Sequence, residues 1–303
     1  MSFRNIIISG VMMVFVAFGV IKGFLYYNAK QKIDELLTPM KSVIHVEYDG
    51  ISTSVLGAIG IKGLRLNTFD GDEVLTFGKV TLNSFDKKEN EKIPSYLSIT
   101  LADVRFDTRF ISEVKNDDIP TFVKELGYGE LYKESNNLQK LGYDRIISDI
   151  NFDFTYKKEL GGVKIRFQEN IKQLGELDIL LDVIGFVPGM RAMGAGADLK
   201  INKMSLMFND NSYTNRLLKR FAERESQELD VYRSKLVNQI KHYLEKNKIV
   251  LKDEDINALK NFILKPSKLV VKIHPAEPVL LENLKFYKRE DVPAILNLTI
   301  NSE

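Results

Sequence analysis

The residues closest to a metal-binding pattern lie in one short segment of the chain. His45, Glu47 and Asp49 occupy alternate positions, so a β-strand would place all three on one face. Imidazole and carboxylate groups are ligands that a divalent cation accepts. One histidine does not form a preorganised set of nitrogen ligands, and the alternative is a polar strand edge. We favour the polar edge and expect no metal site.

Patterns that support enzymatic chemistry are missing from the sequence. There is no cysteine, no G-x-S-x-G elbow, no H-E-x-x-H pair and no Walker motif. The segment 189–196 contains G-x-G, but Pro188 precedes it and a strand is predicted after it, whereas a dinucleotide fingerprint requires a following helix. The carboxylates Asp117 and Asp118 lie in polar sequence that is expected to be exposed. We therefore expect no catalytic residue, no cofactor and no enzyme activity.

A glycine-rich loop over residues 185–197 is unusually apolar. One interpretation is that it folds back onto its own core and that its arginine pairs with a neighbouring carboxylate. The other is that it contacts lipid or a partner protein, because exposed apolar patches mark such sites. The candidate contact residues are Phe186, Val187, Met190, Arg191 and Met193.

The N-terminal region predicts a membrane anchor. Residues 5–21, between Arg4 and Lys22, form an uncharged run of seventeen residues. A helix over residues 5–27 would be roughly 34 Å long, which exceeds a hydrocarbon core of about 30 Å. The segment 26–29 lacks the small residues of a signal-peptide cleavage site. The sequence therefore predicts a retained, single-pass transmembrane helix.

The location of the remaining chain rests on less direct features. Positive residues flank both sides of the anchor, so the positive-inside rule does not decide its orientation. The absence of cysteine suits an oxidising compartment. A net charge of +2 argues against a nucleic-acid partner, which would require a basic stripe. We expect an inner-membrane protein with the bulk of the chain in the periplasm.

The order of predicted elements indicates an α+β fold, because runs of strands are followed by helices and by further strands. A transmembrane helix precedes an antiparallel, β-rich domain, and a C-terminal group of helices packs on the sheet. The predicted regions are a transmembrane anchor at 1–28, a stalk helix at 29–41, a β-rich region at 42–145, and an antiparallel sheet at 146–303 with helices within 213–264 and closing strands.

Side-chain alternation predicts the faces of several strands. Phe152, Phe154, Tyr156, Ile165 and Phe167 alternate with polar residues, so we expect them on one buried face of an antiparallel pair.

Local signals predict one strand irregularity and two helix starts. The apolar residues of the segment 95–106 change parity near Ala102 and Asp103, which predicts a bulge there. Ser226 and Asp253 each precede an amphipathic stretch, so both are predicted to be N-caps of helices.

Two segments resemble the AsmA-like group of bacterial envelope proteins. The first runs from Gly57 to Leu66 and continues at Val74 to Leu82, which resembles the opening strands of that group. The second is the Leu/Phe alternation of Met204 to Asp210, which repeats that of Leu101 to Asp107. The resemblance covers about a third of the chain and implies a curved sheet whose apolar concave face shields acyl chains. The chain departs from the group in its short length and in its helices at 213–264.

These observations predict a non-catalytic, membrane-anchored periplasmic protein that serves envelope maintenance or lipid handling. The alternative is an anchored interaction module, an accessory subunit of an inner-membrane or periplasmic complex. The expected partners are the membrane and either lipid acyl chains or another envelope protein. Helices that bury the apolar strand face would favour the interaction module.

Overall fold

A computed structural model describes residues 45–53, 58–68, 71–87, 93–110, 137–188 and 199–303, with a few isolated positions between 118 and 133. The strands are β1 (His45–Glu47), β2 (Gly50–Thr53), β3 (Ile59–Asn67), β4 (Glu73–Asp86), β5 (Tyr96–Asp107), β6 (Arg145–Lys157), β7 (Gly162–Ile171), β8 (Gly175–Ile184), β9 (Lys200–Asp210), β10 (Lys268–Ile273), β11 (Val279–Leu280) and β12 (Thr299–Ser302). The α-helices are α1 (Tyr213–Arg224), α2 (Leu229–Lys246), α3 (Asp253–Leu264) and α4 (Val292–Ile295).

The predicted α+β character is confirmed, because antiparallel strands are followed by a group of helices and by further strands. The predicted anchor at 1–28 and stalk at 29–41 lie outside the described residues. Within the part of the chain that the structure describes, no helix combines the length and hydrophobicity needed to cross a membrane.

The chain divides into two compact units, Met1–Asp153 and Phe154–Glu303. The boundary falls inside β6, so this strand contributes residues to both units. In the first unit the strand order is β1-β3-β4-β5-β6, and β2 pairs with β3. In the second unit it is β6-β7-β8-β9-β10-β12, and β11 pairs with β9.

The first unit has a closely packed apolar core. Its strands alternate buried and accessible positions, as expected for a sheet with one covered face. The buried set includes Leu64, Phe77, Val80, Ile99 and Leu101, each at most 2% exposed. Burying side chains of this size contributes about 1.5–3 kcal/mol each, so this cluster dominates the stability of the unit.

Along β3, β4 and β5, the buried side chains switch from odd to even positions, or the reverse, at one row of residues that are paired across the three strands. Gly63 and Asp103 have positive φ angles of 57° and 53°, and Gly78 lies opposite both of them. A Cβ atom added at Gly78 would lie 2.9 Å from the Cβ of Asp103, so only glycine fits there. The predicted irregularity at Asp103 is therefore present, but the β4–β5 register does not shift there; the shift occurs between Leu82 and Ser84.

The helices of the second unit pack on one another and on the closing strands. The rings of Phe221 in α1 and Tyr232 in α2 are stacked with centroids 6.3 Å apart. Helix α3 packs against α2 and against β10 and β12. Its buried Asp255 accepts a hydrogen bond of 2.5 Å from the backbone N–H of Ile300 in β12.

The structure corrects both predicted helix caps. Ser226 has a φ angle of 53° and donates its N–H to the carbonyl of Glu223, so it ends α1 instead of starting α2. The N-cap of α2 is Glu228. Asp253 is the first residue of α3, and Lys252 is its N-cap. The sequence placed each helix correctly but misassigned the residue at its start.

Candidate functional site: an apolar sheet face and one apolar sheet end

The strands of the second unit bring one set of apolar side chains onto a common face. Directly paired residues point to the same side of a sheet, and the register pairs Phe167 with Ile179, Ile179 with Leu206, and Leu206 with Val271. A neighbouring row pairs Ile165 with Leu181 and Met204. We call this surface the apolar face; it comprises Ile165, Phe167, Leu177, Ile179, Leu181, Met204, Leu206 and Phe208.

The opposite face of the same strands is polar. Arg166 donates two hydrogen bonds to Asp178, at 3.3 and 2.7 Å, and Gln168 donates a third at 3.1 Å. Lys164 and Lys203 flank Asp182 in the next row. One face is therefore suited to water and the other to an apolar environment.

The helices cover the apolar face on one side. Phe262 of α3 and Tyr213 of α1 both make edge-on contacts with Phe208 in β9, at centroid distances of 6.3 and 6.4 Å. Ile300 in β12 is buried beside α3. In β7, β8 and β9 the side chains of the apolar face are half-buried. Helix α3 thus packs chiefly on β12 and β10, and the ring contacts from α1 and α3 reach the apolar face at Phe208.

The predicted aromatic face is half-buried instead of buried. Phe152, Phe154 and Tyr156 in β6 have intermediate accessibility, as do Ile165 and Phe167 in β7. The predicted alternation is present in β7, where Lys164 and Arg166 are exposed, but in β6 Asp153 is as accessible as its aromatic neighbours. The expected full burial is wrong, because α3 packs mainly on β12 and β10, and α1 and α2 pack mainly on other helices.

Two of the predicted contact residues lie at one exposed end of this sheet. Phe186 is 37% exposed and Val187 is 50% exposed. The N–H of Phe186 donates to the carbonyl of Gly161 at 2.9 Å, which joins the segment after β8 to the β6–β7 turn. Phe186 also makes an edge-on contact with Tyr156, at 6.1 Å between centroids. Met190, Arg191 and Met193 lie outside the described residues.

The same end carries exposed apolar residues that the sequence reasoning missed. Leu160 in the β6–β7 turn is 67% exposed. Leu281 donates its N–H to the carbonyl of Leu199 at 2.9 Å, which brings the segment after β11 to the start of β9. We call this surface the apolar end; it comprises Leu160, Phe186, Val187 and Leu281, together with Phe286 and Tyr287 at the end of the 3-10 helix Leu281–Phe286 that begins there.

The predicted polar strand near residue 45 is built from ion pairs. His45 Nε2 and Glu47 Oε1 are 3.0 Å apart, and Arg65 donates to Asp49 at 2.7 Å. The hydrogen bond from Arg65 lowers the pKa of Asp49 below its ordinary value. Asp49 therefore pairs with an arginine of its own unit. Across the described ranges, no group of three His, Asp or Glu side chains is placed to hold a metal ion.

A polar cleft of about 530 Å³ lies at the other end of the second unit, where β9 ends and β10 begins. Its charged groups serve the fold. Asp210 accepts a hydrogen bond of 2.7 Å from the N–H of Thr214 and so caps the start of α1. Arg233 donates to Asn215 at 2.7 Å and to Asp230 at 3.0 Å. Burial raises the pKa of Asp210 above its ordinary value.

The comparison with protein families covers the part of the chain that forms these surfaces. A family model described as "Uncharacterized protein" matches residues 150–303, just over half of the 303 residues. The chain belongs to this family. No curated protein and no solved structure matches the chain. Every described residue of the apolar face and of the apolar end lies within the matched range.

Proposed function

We propose that this chain is a non-catalytic, single-pass inner-membrane protein whose exported part handles lipid for the bacterial envelope. The apolar face holds acyl chains, and Phe186 and Val187 lie at the rim through which they enter. The observation that carries the proposal is the half-buried state of the apolar face in β7, β8 and β9, beside α3, which packs chiefly on β12 and β10.

The energetics of that surface favour an acyl chain. Half-buried apolar side chains retain surface in contact with water, and covering such surface gains about 25 cal/mol per Å². The same relation gives an acyl chain about 0.8 kcal/mol for each methylene that leaves water. A few methylenes laid along Ile165, Leu181 and Met204 would therefore gain several kcal/mol without any directional contact. The polar face, with its Arg166–Asp178 pair, offers no comparable gain.

Sequence features support the membrane and envelope parts of the proposal. The uncharged run at residues 5–21 is long enough for an anchor, and the resemblance to AsmA-like proteins implies an acyl-shielding sheet. Alkaline carbonate extraction and protease access from the periplasmic side test the anchor and its orientation. A soluble mature chain that begins near residue 30 would contradict the anchored form.

The second candidate is an anchored interaction module. Contacts from α1 and α3 to Phe208 favour it, because these helices already occupy part of the apolar face. An amphipathic helix from a partner protein would extend the same packing across β8 and β7. In that case the half-buried side chains mark a protein interface instead of a lipid site.

Neighbouring leucines of β8 provide a matched test of the two functions. Leu181 lies on the apolar face, whereas Leu180 lies on the polar face between Arg166 and Ser205. The full chain is purified in mild detergent as wild type, Leu181→Gln and Leu180→Gln, and bound lipid is quantified by mass spectrometry. We expect stoichiometric lipid in the wild type and in Leu180→Gln, and a clear loss in Leu181→Gln. Lipid-free wild type would contradict lipid handling and favour the interaction module.

A further inference from the structure

Large exposed apolar side chains are concentrated at the apolar end. Nine such side chains occur among the described residues, and six of them belong to this end. Phe286 is the most exposed of them, at 75%. A phenylalanine side chain left in water lacks the stabilisation that burial of its apolar surface would give. Concentration of this kind at one place marks a contact surface, whereas scattered exposed residues do not.

Hydrogen bonds and strand pairing bring the contributing segments together. The N–H of Gly185 donates to the carbonyl of Leu160 at 3.3 Å, next to the Phe186–Gly161 bond. Ile184 pairs with Lys200, and Lys200 pairs with Leu280. Four chain segments therefore end side by side, and at about 4.8 Å per strand they span roughly 15 Å.

The charged residues of these segments are mixed with the aromatic ones. Residues 157–161, 199–201 and 279–291 contain six cationic and four acidic side chains, which leaves a net charge of +2. The ammonium of Lys285 lies 4.9 Å from the centroid of the Phe286 ring. Lys288 and Arg289 follow directly and are exposed; Lys288 Nζ lies 3.8 Å from Glu290 Oε1, and Arg289 donates to Asn247 Oδ1 at 3.2 Å. Aromatic rings with long cationic side chains beside them are typical of a membrane interface, where the rings enter and the ammonium groups remain at the phosphates.

From this combination we infer that the apolar end docks on the surface of an anionic lipid bilayer. Phe286, Tyr287, Leu281 and Leu160 enter the headgroup region, while Lys285 and Lys288 contact lipid phosphates. The inference deepens the proposed function, because Phe186 and Val187 belong to the same end and would then open the apolar face toward the bilayer. It rests on the proposed function only for that last step.

The chain contains no tryptophan, so one introduced tryptophan reports on its own surroundings. The full chain carrying Phe286→Trp is reconstituted into phosphatidylcholine liposomes with or without phosphatidylglycerol, with bromine on the acyl chains as a quencher. The matched control is Val231→Trp, which replaces an exposed apolar residue of α2, 59% exposed. Flotation of the liposomes reports separately whether the chain is anchored.

We expect a blue shift and strong quenching at position 286 in phosphatidylglycerol liposomes, weak quenching in pure phosphatidylcholine, and none at position 231. Adding Lys285→Glu and Lys288→Glu should reduce the docked-to-undocked ratio by at least about 30-fold, because each lost cation near an anionic surface contributes about 1 kcal/mol and each new carboxylate is repelled. High salt should act in the same direction.

Three results would overturn the inference. The indole of Phe286→Trp could stay as exposed as that of Val231→Trp in anionic liposomes. Its quenching could be equal in both lipids and unaffected by charge reversal, which would remove the anionic surface as partner. Its blue shift could already develop with protein concentration in lipid-free detergent, which would indicate a second copy of the chain. Bound lipid in the wild type without quenching would refute the docking alone, and quenching without bound lipid would refute lipid handling alone.

Discussion

Removal of the Asp255 carboxylate should loosen α3 from the edge of the sheet. This carboxylate is buried and accepts the N–H of Ile300 in β12, so Asp255→Ala leaves that N–H without its acceptor. Loss of a hydrogen bond to a charged group costs about 1.5–3 kcal/mol. Asp253→Ala is the matched control, because Asp253 is exposed in the same helical turn and loses only about 0.3–1 kcal/mol of helix-dipole interaction.

Hydrogen exchange of the full chain, followed by mass spectrometry, measures this effect. The difference between the two variants, about 1–2 kcal/mol, corresponds to a roughly 5- to 30-fold faster exchange of β12 in Asp255→Ala. The change should be confined to α3, β10 and β12, because these elements pack together. Equal exchange in both variants would refute the assigned role of Asp255. An equal rise in β7 and β8 would refute the conclusion that α3 packs at one side of the apolar face.

Three further predictions concern packing, backbone conformation and pH. Phe77→Ala, at a site 1% exposed, should cost about 3–5 kcal/mol of unfolding free energy, whereas Phe167→Ala should cost roughly half as much because its ring is half-buried. Equal losses in denaturant unfolding would contradict the half-open apolar face. Gly161→Ala should destabilise the apolar end by more than about 1 kcal/mol, because its φ is 55° and an added Cβ would lie 2.7 Å from a carbonyl oxygen. In the control Gly162→Ala, the added Cβ meets no atom closer than 3.6 Å, so equal melting temperatures of the two variants would count against this geometry. Burial raises the pKa of Asp210, so its stabilising contribution is present below pH 3.8 and is lost as the pH rises through the folded pKa. Asp210→Asn should therefore flatten the pH dependence of stability above pH 3.8, and an unchanged dependence would refute the raised pKa of Asp210.

Alternation of apolar and polar residues predicted the two faces of β7 correctly. The period of two is a direct consequence of strand geometry, and it identified Ile165 and Phe167 with Lys164 and Arg166 on the other side. It did not predict how far the face is covered, because that depends on where α3 docks through tertiary contacts. The full burial that we expected was wrong for this reason.

The sequence predicted where irregular backbone positions occur, but not the backbone conformation at each of them. The parity change in β5 indicated Asp103, yet the structure accommodates it by a positive φ beside Gly78 instead of an extra residue. Ser226 has the chemistry of an N-cap, but a left-handed residue can also end a helix, and the sequence alone does not separate the two.

The apolar end was only partly predictable. The glycine-rich loop drew attention to Phe186 and Val187 because apolar residues are uncommon in flexible loops. Phe286 and Tyr287 lie more than ninety residues later, in and just after the 3-10 helix Leu281–Phe286, and the pairing of β11 with β9 brings the start of that helix to the same end. The available signal was the mixture of aromatic and cationic residues at 285–289, which has no helical or strand period.

The central claim is that the apolar face contacts lipid acyl chains in the cell. The most direct measurement is photocrosslinking in living cells, with a photoreactive amino acid in place of Leu181 or, as a control, of Leu180 on the opposite face. The full chain is recovered and the mass of each adduct is determined. We predict lipid adducts at position 181 and none at position 180. Protein adducts without lipid at position 181, or equal lipid labelling at both positions, would contradict the claim.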